Sequence, residues 1–144
     1  MRESQILNES YAKFMAKEHP TMPSYAYAKA SFKMTKNKET VILDKIMKFL
    51  KWEGQLGVIV DSAAHYSKGV GMYVKSKTTV GCSDMIACLN GHFYAIELKR
   101  VYDKGKDRQS EHQKKFERRV GEALGVYVIV TDFMNFYEWY KTII

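Results

Sequence analysis

Two carboxylates and a lysine frame the most informative stretch of the chain. Asp84 lies on one side of an Asn90-Gly91 pair, and Glu97 and Lys99 lie on the other. Asn-Gly between apolar runs is a strong hairpin signal, because both residues tolerate the positive φ of a type I′ turn. The flanking runs are Met85 to Leu89 and Phe93 to Leu98. With Asn90 and Gly91 as a two-residue loop, Leu89 faces His92, and counting outward sets Asp84 opposite Glu97. Residues directly opposed in an antiparallel pair have Cβ atoms about 4.5–5.5 Å apart. Two acids so placed, at one end of an apolar hairpin, must take a proton, gain a cation or stay wet. Lys99 lies two residues past Glu97 and shares its face of the strand, while Leu98 points the other way into the core.

Oxygen-only ligands suit a hard, hydrated cation such as Mg²⁺ or Mn²⁺. Such an ion beside a lysine, on a basic protein, points to phosphodiester hydrolysis. The metal would polarise a phosphoryl oxygen and lower the pKa of a water, and Lys99 would orient that water or stabilise developing charge. The same charges also read as a surface ion-pair cluster in which Lys99 merely neutralises the acids. Charge alone leaves both readings open.

The elements that must hold these residues follow from periodicity and punctuation. Ile42, Leu43, Ile46, Phe49 and Leu50 recur at helical spacing from Glu39 onward, with Gly54 as the stop. Leu56 to Val60 reads as a short strand. Residues 62–81 mix Gly69, Gly71 and Gly81 with Lys68, Lys75 and Lys77 and read as a basic loop or a bent hairpin. The Gly69-Val70-Gly71 triplet is too slight for a phosphate loop. Ser110 and Gln113 fit a capping box at the start of a helix. Phe116, Val120, Ala123 and Leu124 form its apolar stripe and Gly125 closes it. Val126 to Val130 then reads as a fully buried strand, parallel to the one before the helix. Asp132 caps a last helix bearing Phe133, Phe136, Tyr137 and Tyr140. The expected fold is α/β, a small mixed sheet with helices on both faces.

Ahead of this fold, residues 1–38 carry seven basic and three acidic residues. Glu3 to Glu18 is amphipathic, with Ile6, Leu7, Tyr11 and Phe14 near helical spacing, and Pro20 and Pro23 end it. Two regions are expected, an N-terminal extension over 1–38 and a main domain over 39–144. The extension either covers an apolar edge or serves dimerisation or nucleic-acid contact.

The whole chain of 144 residues carries a net charge of +7, which favours a polyanionic partner. Much of the excess lies in residues 1–38 and 100–119. Lys114, Lys115, Arg118 and Arg119 on the capped helix, with Arg100, are candidate contacts to phosphates flanking a cut. A solvated helix face is the plainer reading of that run. No apolar run approaches the roughly 18 residues of a membrane span. The N-terminus lacks a signal peptide's apolar core, and a reduced, cytoplasmic protein is expected. Cys82 and Cys88 have no zinc-ligand spacing, and His65, His92 and His112 read as turn or surface residues.

The run Gly81-Cys82-Ser83-Asp84, the hairpin, and Ile96-Glu97-Leu98-Lys99 resemble the motif of the PD-(D/E)XK nuclease superfamily. Ser110-x-x-Gln113, a helix, Gly125 and an apolar strand narrow the resemblance to the VRR-NUC domain, whose stand-alone members are common in bacteriophages. It covers roughly residues 39–140 and implies a restriction-endonuclease-like core. It further implies Asp84 and Glu97 as metal ligands with the Leu98 carbonyl, Lys99 as the catalytic lysine, and Gln113 near the active site. Glu39 matches a helix acid that supplements the metal site, although an acid there also suits the helix dipole. Ser83 departs from the pattern, standing where the family motif often has Pro. The implied activity is that of a Mg²⁺- or Mn²⁺-dependent endonuclease, structure-specific on branched DNA such as four-way junctions. If phage-encoded, it would act in the host cytoplasm. It would work as a homodimer, with the aromatic segment 133–140 or the N-terminal arm as candidate dimer surfaces. The rival readings are a sequence-specific or RNA-directed nuclease of the same fold, an inactive nucleic-acid-binding module, and a basic adaptor for acidic proteins.

Overall fold

A computed structural model describes residues 1–27, 29–30, 38–61, 65–75, 78–100 and 109–144. Phe32, Lys77 and residues 101–108 of the basic stretch lie outside the described residues. The helices are α1 (Glu3–Glu18), α2 (Glu39–Trp52), α3 (Glu111–Glu122) and α4 (Phe133–Ile143). The strands are β1 (Leu56–Ile59), β2 (His65–Ser67), β3 (Met72–Val74), β4 (Met85–Leu89), β5 (His92–Leu98) and β6 (Val126–Val130). Four strands form one mixed sheet in the order β1-β4-β5-β6, and β2 and β3 form a separate two-stranded ribbon. β1 pairs with β4 and β4 with β5 in antiparallel fashion, while β6 joins β5 in parallel through α3.

Strand alternation divides the sheet into two unlike faces. Met85, Leu89, Ile96, Leu98 and Val130 lie in one buried core with α2 and α4. Phe49 of α2 is its hub, meeting Phe133 and Tyr140 edge-on with ring centroids 5.7 and 5.1 Å away. T-shaped contacts of this kind add to the burial itself. The opposite face carries Glu97 and Tyr127, and there α3 packs, its Phe116 ring 6.4 Å from Tyr127. The functional candidates therefore sit on the face away from the main core.

α1 is built into that core. Ile6 and Leu7 are buried with Ile42 and Ile46 of α2. Glu3 forms an ion pair with Lys45, an α2 lysine only 2% exposed. A buried ammonium needs such a partner.

Two expectations need correction. β6 is an edge strand, so its unbroken apolar run does not mean burial on both sides; Val126 and Ile129 are exposed and Val130 alone is buried. α3 ends at Glu122, and Leu124 leaves the apolar stripe: it takes φ 61° and is 93% exposed, and Ala123 is exposed as well. The N–H groups of Leu124 and Gly125 donate to the carbonyls of Gly121 and Val120, a Schellman closure with leucine in the left-handed position. Gly125 follows it because a Cβ there would lie 2.8 Å from the Phe93 ring. Within the aromatic segment 133–140, Phe133, Phe136 and Tyr140 turn into the core, while Tyr137 and Trp139 are partly buried.

Candidate active site

The hairpin forms in the register that turn chemistry predicts. Asn90 and Gly91 have φ of 49° and 83°, and pairing runs from Leu89 with His92 out to Met85 with Ile96. Continuing that register one step outward sets Asp84 opposite Glu97. The Leu98 N–H donates a 2.8 Å hydrogen bond to Asp84 Oδ2, so the acid is clasped by the strand that carries its partner. On its other side the Val60 N–H donates to the Asp84 carbonyl at 2.8 Å, tying the end of β1 to the same point.

Glu97 is only 2% exposed. Its Oε1 accepts from Lys99 Nζ at 2.9 Å and from Gln113 Nε2. Its Oε2 is buried and has no hydrogen-bond partner among the described residues. Burial pushes both carboxyl groups above the usual carboxylate range. In Asp84 the Leu98 N–H and the Lys99 charge pull back against it. In Glu97 the Lys99 hydrogen bond pulls back, and the Asp84 charge pushes up again. Two acids that resist ionisation, one with an orphaned oxygen, form a site arranged for a positive charge.

The first turn of α3 completes the cluster. The Ser110 hydroxyl accepts from the Gln113 N–H at 3.2 Å, and Gln113 Oε1 accepts from the Ser110 N–H at 2.9 Å. The same Oε1 lies 3.4 Å from Lys99 Nζ, while Nε2 donates to Glu97. The capping box and the contact to Glu97 coexist, because one amide has two ends. Gly81 lets the chain pass: it has φ 81°, and a Cβ there would lie 2.4 Å from the His112 carbonyl carbon. Ser83 is buried and donates its hydroxyl to the Met85 carbonyl at 2.9 Å.

The structure thus gathers Asp84, Glu97, the Leu98 backbone, Lys99 and Gln113 at one sheet end. Among the described residues, no three His, Cys, Asp or Glu side chains cluster as a metal-ligand group. Glu39 is exposed in the first turn of α2, where the Lys38 side chain provides no cap. Arg100 follows β5 and is half-buried. Lys114, Lys115, Arg118 and Arg119 are all exposed on α3, and Lys114 is 3.0 Å from Glu111. Lys115 and Arg119 line a cleft of about 200 Å³ with Thr79 and Val80. Cys82 and Cys88 are free thiols, and His92 and His112 are exposed.

Sequence reasoning missed Tyr127. Its hydroxyl is buried on the Glu97 face without a partner among the described residues; burial, and then the Glu97 charge, push its pKa up. The signal was present only as a polar-tipped ring inside the aliphatic run 126–130, and no local rule assigned it a face. No protein-family model, no curated protein and no solved structure matches this chain, so its reading rests on the site itself.

Proposed function

We propose that this chain is a divalent-metal-dependent endonuclease that hydrolyses DNA phosphodiester bonds, with Mg²⁺ or Mn²⁺ as its ion. The observation that carries the reading is the buried Glu97 Oε2, without a hydrogen-bond partner among the described residues, beside Asp84 on a sheet end with a lysine in contact. Hard oxygen donors, one of them without a partner among the described residues, suit a hard cation. Asp84 and Glu97, with the Leu98 carbonyl, would hold the ion, and Glu39 is the supplementary candidate. When bound, the ion supplies charge neutralisation at the phosphoryl group and a more acidic water.

The chain's own groups do the rest. Lys99 Nζ lies on Glu97 Oε1 and within 3.4 Å of Gln113 Oε1, a position from which it orients a water and stabilises negative charge developing on the phosphate. Gln113 fixes the Glu97 carboxylate through Nε2 and is itself held by Ser110. Lys115, Arg118, Arg119, Lys114 and Arg100 are the proposed backbone contacts. The order α2-β1-β4-β5-α3-β6 supports a restriction-endonuclease-like core, and the resemblance to VRR-NUC domains extends the proposal to branched DNA, a homodimer and a cytoplasmic setting. No helix among the described residues is long and apolar enough to cross a membrane.

The test is cleavage of labelled four-way junction, linear duplex and single strand with Mg²⁺, with Mn²⁺ and with EDTA. Cutting of the junction that EDTA stops, and that Asp84→Asn and Glu97→Gln each abolish, is the expected result. Cutting that survives either substitution would refute the site. Tight binding without cutting in any metal would leave only a binding module. A solution mass equal to the 16.7 kDa chain would refute the homodimer.

A further inference from the structure

The insertion between β1 and β4 stands outside the catalytic cluster. Among the described residues, β2 and β3 pair only with each other, in the register His65 with Val74, Tyr66 with Tyr73 and Ser67 with Met72. Its two legs are tied at the base, where the Thr78 hydroxyl donates to the Asp61 carbonyl at 2.8 Å. The Val60 N–H bonded to the Asp84 carbonyl fixes that base beside the candidate active site. At the far end Gly71, with φ 70°, donates its N–H to the Ser67 carbonyl at 2.8 Å and closes the turn.

The composition of this arm is one-sided. From residue 62 to residue 83 the sequence has no Asp or Glu, against Lys68, Lys75 and Lys77. Tyr66 and Tyr73 oppose each other with ring centroids 5.5 Å apart and planes at 68°. Such a pair stabilises a short ribbon. Yet Tyr66 is 54% and Tyr73 73% exposed, so most of both rings faces water. Lys68 and Lys75, both exposed, follow the two tyrosines at the same spacing of two residues. Exposed aromatic rings flanked by lysines, with no acid to repel a phosphate, match the chemistry that holds unstacked nucleotides.

We infer that the β2–β3 ribbon is a binding arm for unpaired nucleotides of the substrate, with Tyr66 and Tyr73 as its stacking platform and Lys68 and Lys75 on the adjoining phosphates. The inference rests on the nuclease reading for the identity of the polymer, and adds what selects the substrate. Bases inside a duplex are already stacked on one another and gain nothing from a tyrosine ring. Bases at a junction, flap or gap are free to leave the helix, and each that stacks on an aromatic side chain gains affinity. The arm then favours cleavage next to a strand discontinuity because it is rooted at Asp84.

The experiment measures fluorescence anisotropy of labelled four-way junction, flapped duplex and blunt duplex, without divalent metal, in an Asp84→Asn background. Tyr66→Ala with Tyr73→Ala is expected to weaken junction and flap binding about tenfold or more while leaving the blunt duplex within about twofold. Tyr66→Phe with Tyr73→Phe keeps the rings and is expected to keep the affinity. Unchanged junction affinity in the alanine variant, with a native melting profile, overturns the arm. Equal losses on all three DNAs also overturn it, in favour of plain backbone contact. A change in solution mass with unaltered DNA binding overturns it in favour of contact between copies. If the tyrosines prove neutral while wild type still cuts in Mg²⁺, the arm alone fails. If the Asp84→Asn protein with both tyrosines intact binds none of the three DNAs, the nuclease reading fails with it.

Discussion

Asp84 and Glu97 show how a site can be bought at the expense of stability. Each is an acid whose burial raises its pKa, and each sits in the other's field. Between the ordinary carboxylate range and the raised values, the folded chain holds protons that the unfolded chain has released. Stability contributed by these groups therefore falls as pH rises through that window, the reverse of a salt-bridged acid. Asp84→Asn keeps an oxygen for the Leu98 N–H and removes one of the two charges. In metal-free buffer at neutral pH it is expected to raise Tm by a few degrees, with the gain vanishing as pH falls below the ordinary carboxylate range. Mg²⁺ is expected to raise the Tm of wild type and not of Asp84→Asn. A thermal melt series against pH, with and without Mg²⁺, checks both, and a wild type that is most stable at neutral pH relative to the variant would contradict the account. The facing of the two acids was readable from one Asn-Gly turn. The orphaned Oε2, and the buried Tyr127 hydroxyl on the same face, were not, because burial depends on what α3 places over the strand.

At the scale of elements, the ends of the helices carry more information than their middles. Ser110 and Gln113 announce the start of α3 through local chemistry, and the same glutamine reaches Glu97. The other end misled, because Gly125 looks like the terminating residue while Leu124 takes the left-handed turn. Glycine is held at 125 by its neighbours, Phe93 and Val120, so the αL duty passes to the residue before it. A leucine in that conformation is disfavoured by about 1 kcal/mol, and its exposed side chain gives nothing back. Leu124→Gly is accordingly expected to stabilise the fold by about 0.5–1 kcal/mol, read from the urea midpoint at unchanged m-value. A loss of stability would mean that Leu124 makes a contact in solution, as it would across a dimer. β6 misled for a related reason. Its apolar run is that of a buried strand, but nothing in five residues tells a chain whether another strand will pair beyond them.

Over the whole molecule, the N-terminal helix is joined to the fold by burial and by charge. Ile6 and Leu7 complete the core under α2, and Glu3 neutralises Lys45. Removing one partner of a buried pair leaves an uncompensated charge, which costs more than the pair contributes. Glu3→Ala is expected to lower stability by about 3 kcal/mol, and adding Lys45→Met to recover most of the loss. Chemical denaturation of the two variants provides the measurement; if the double variant is no more stable than the single one, the loss came from α1 packing and not from the stranded ammonium. The net charge of +7 also resolves into places, with exposed lysines and arginines on α3 and on the ribbon around an acidic centre.

What the sequence by itself determined is whatever short-range physics dictates. The positive φ of Asn90 and Gly91 set the hairpin register, and the register set Asp84 against Glu97. Helical periodicity placed α1, α2 and α4, and the Ser110-Gln113 box opened α3. Tertiary structure alone decided which faces are covered. It buried Glu97 under α3, left β6 at an edge, turned Phe133 and Phe136 into the core, and left Tyr66 and Tyr73 of the β2–β3 ribbon exposed. Turn and periodicity act over a few residues and are written in them. Burial is a property of segments far apart in the chain, and it exists only once they have met.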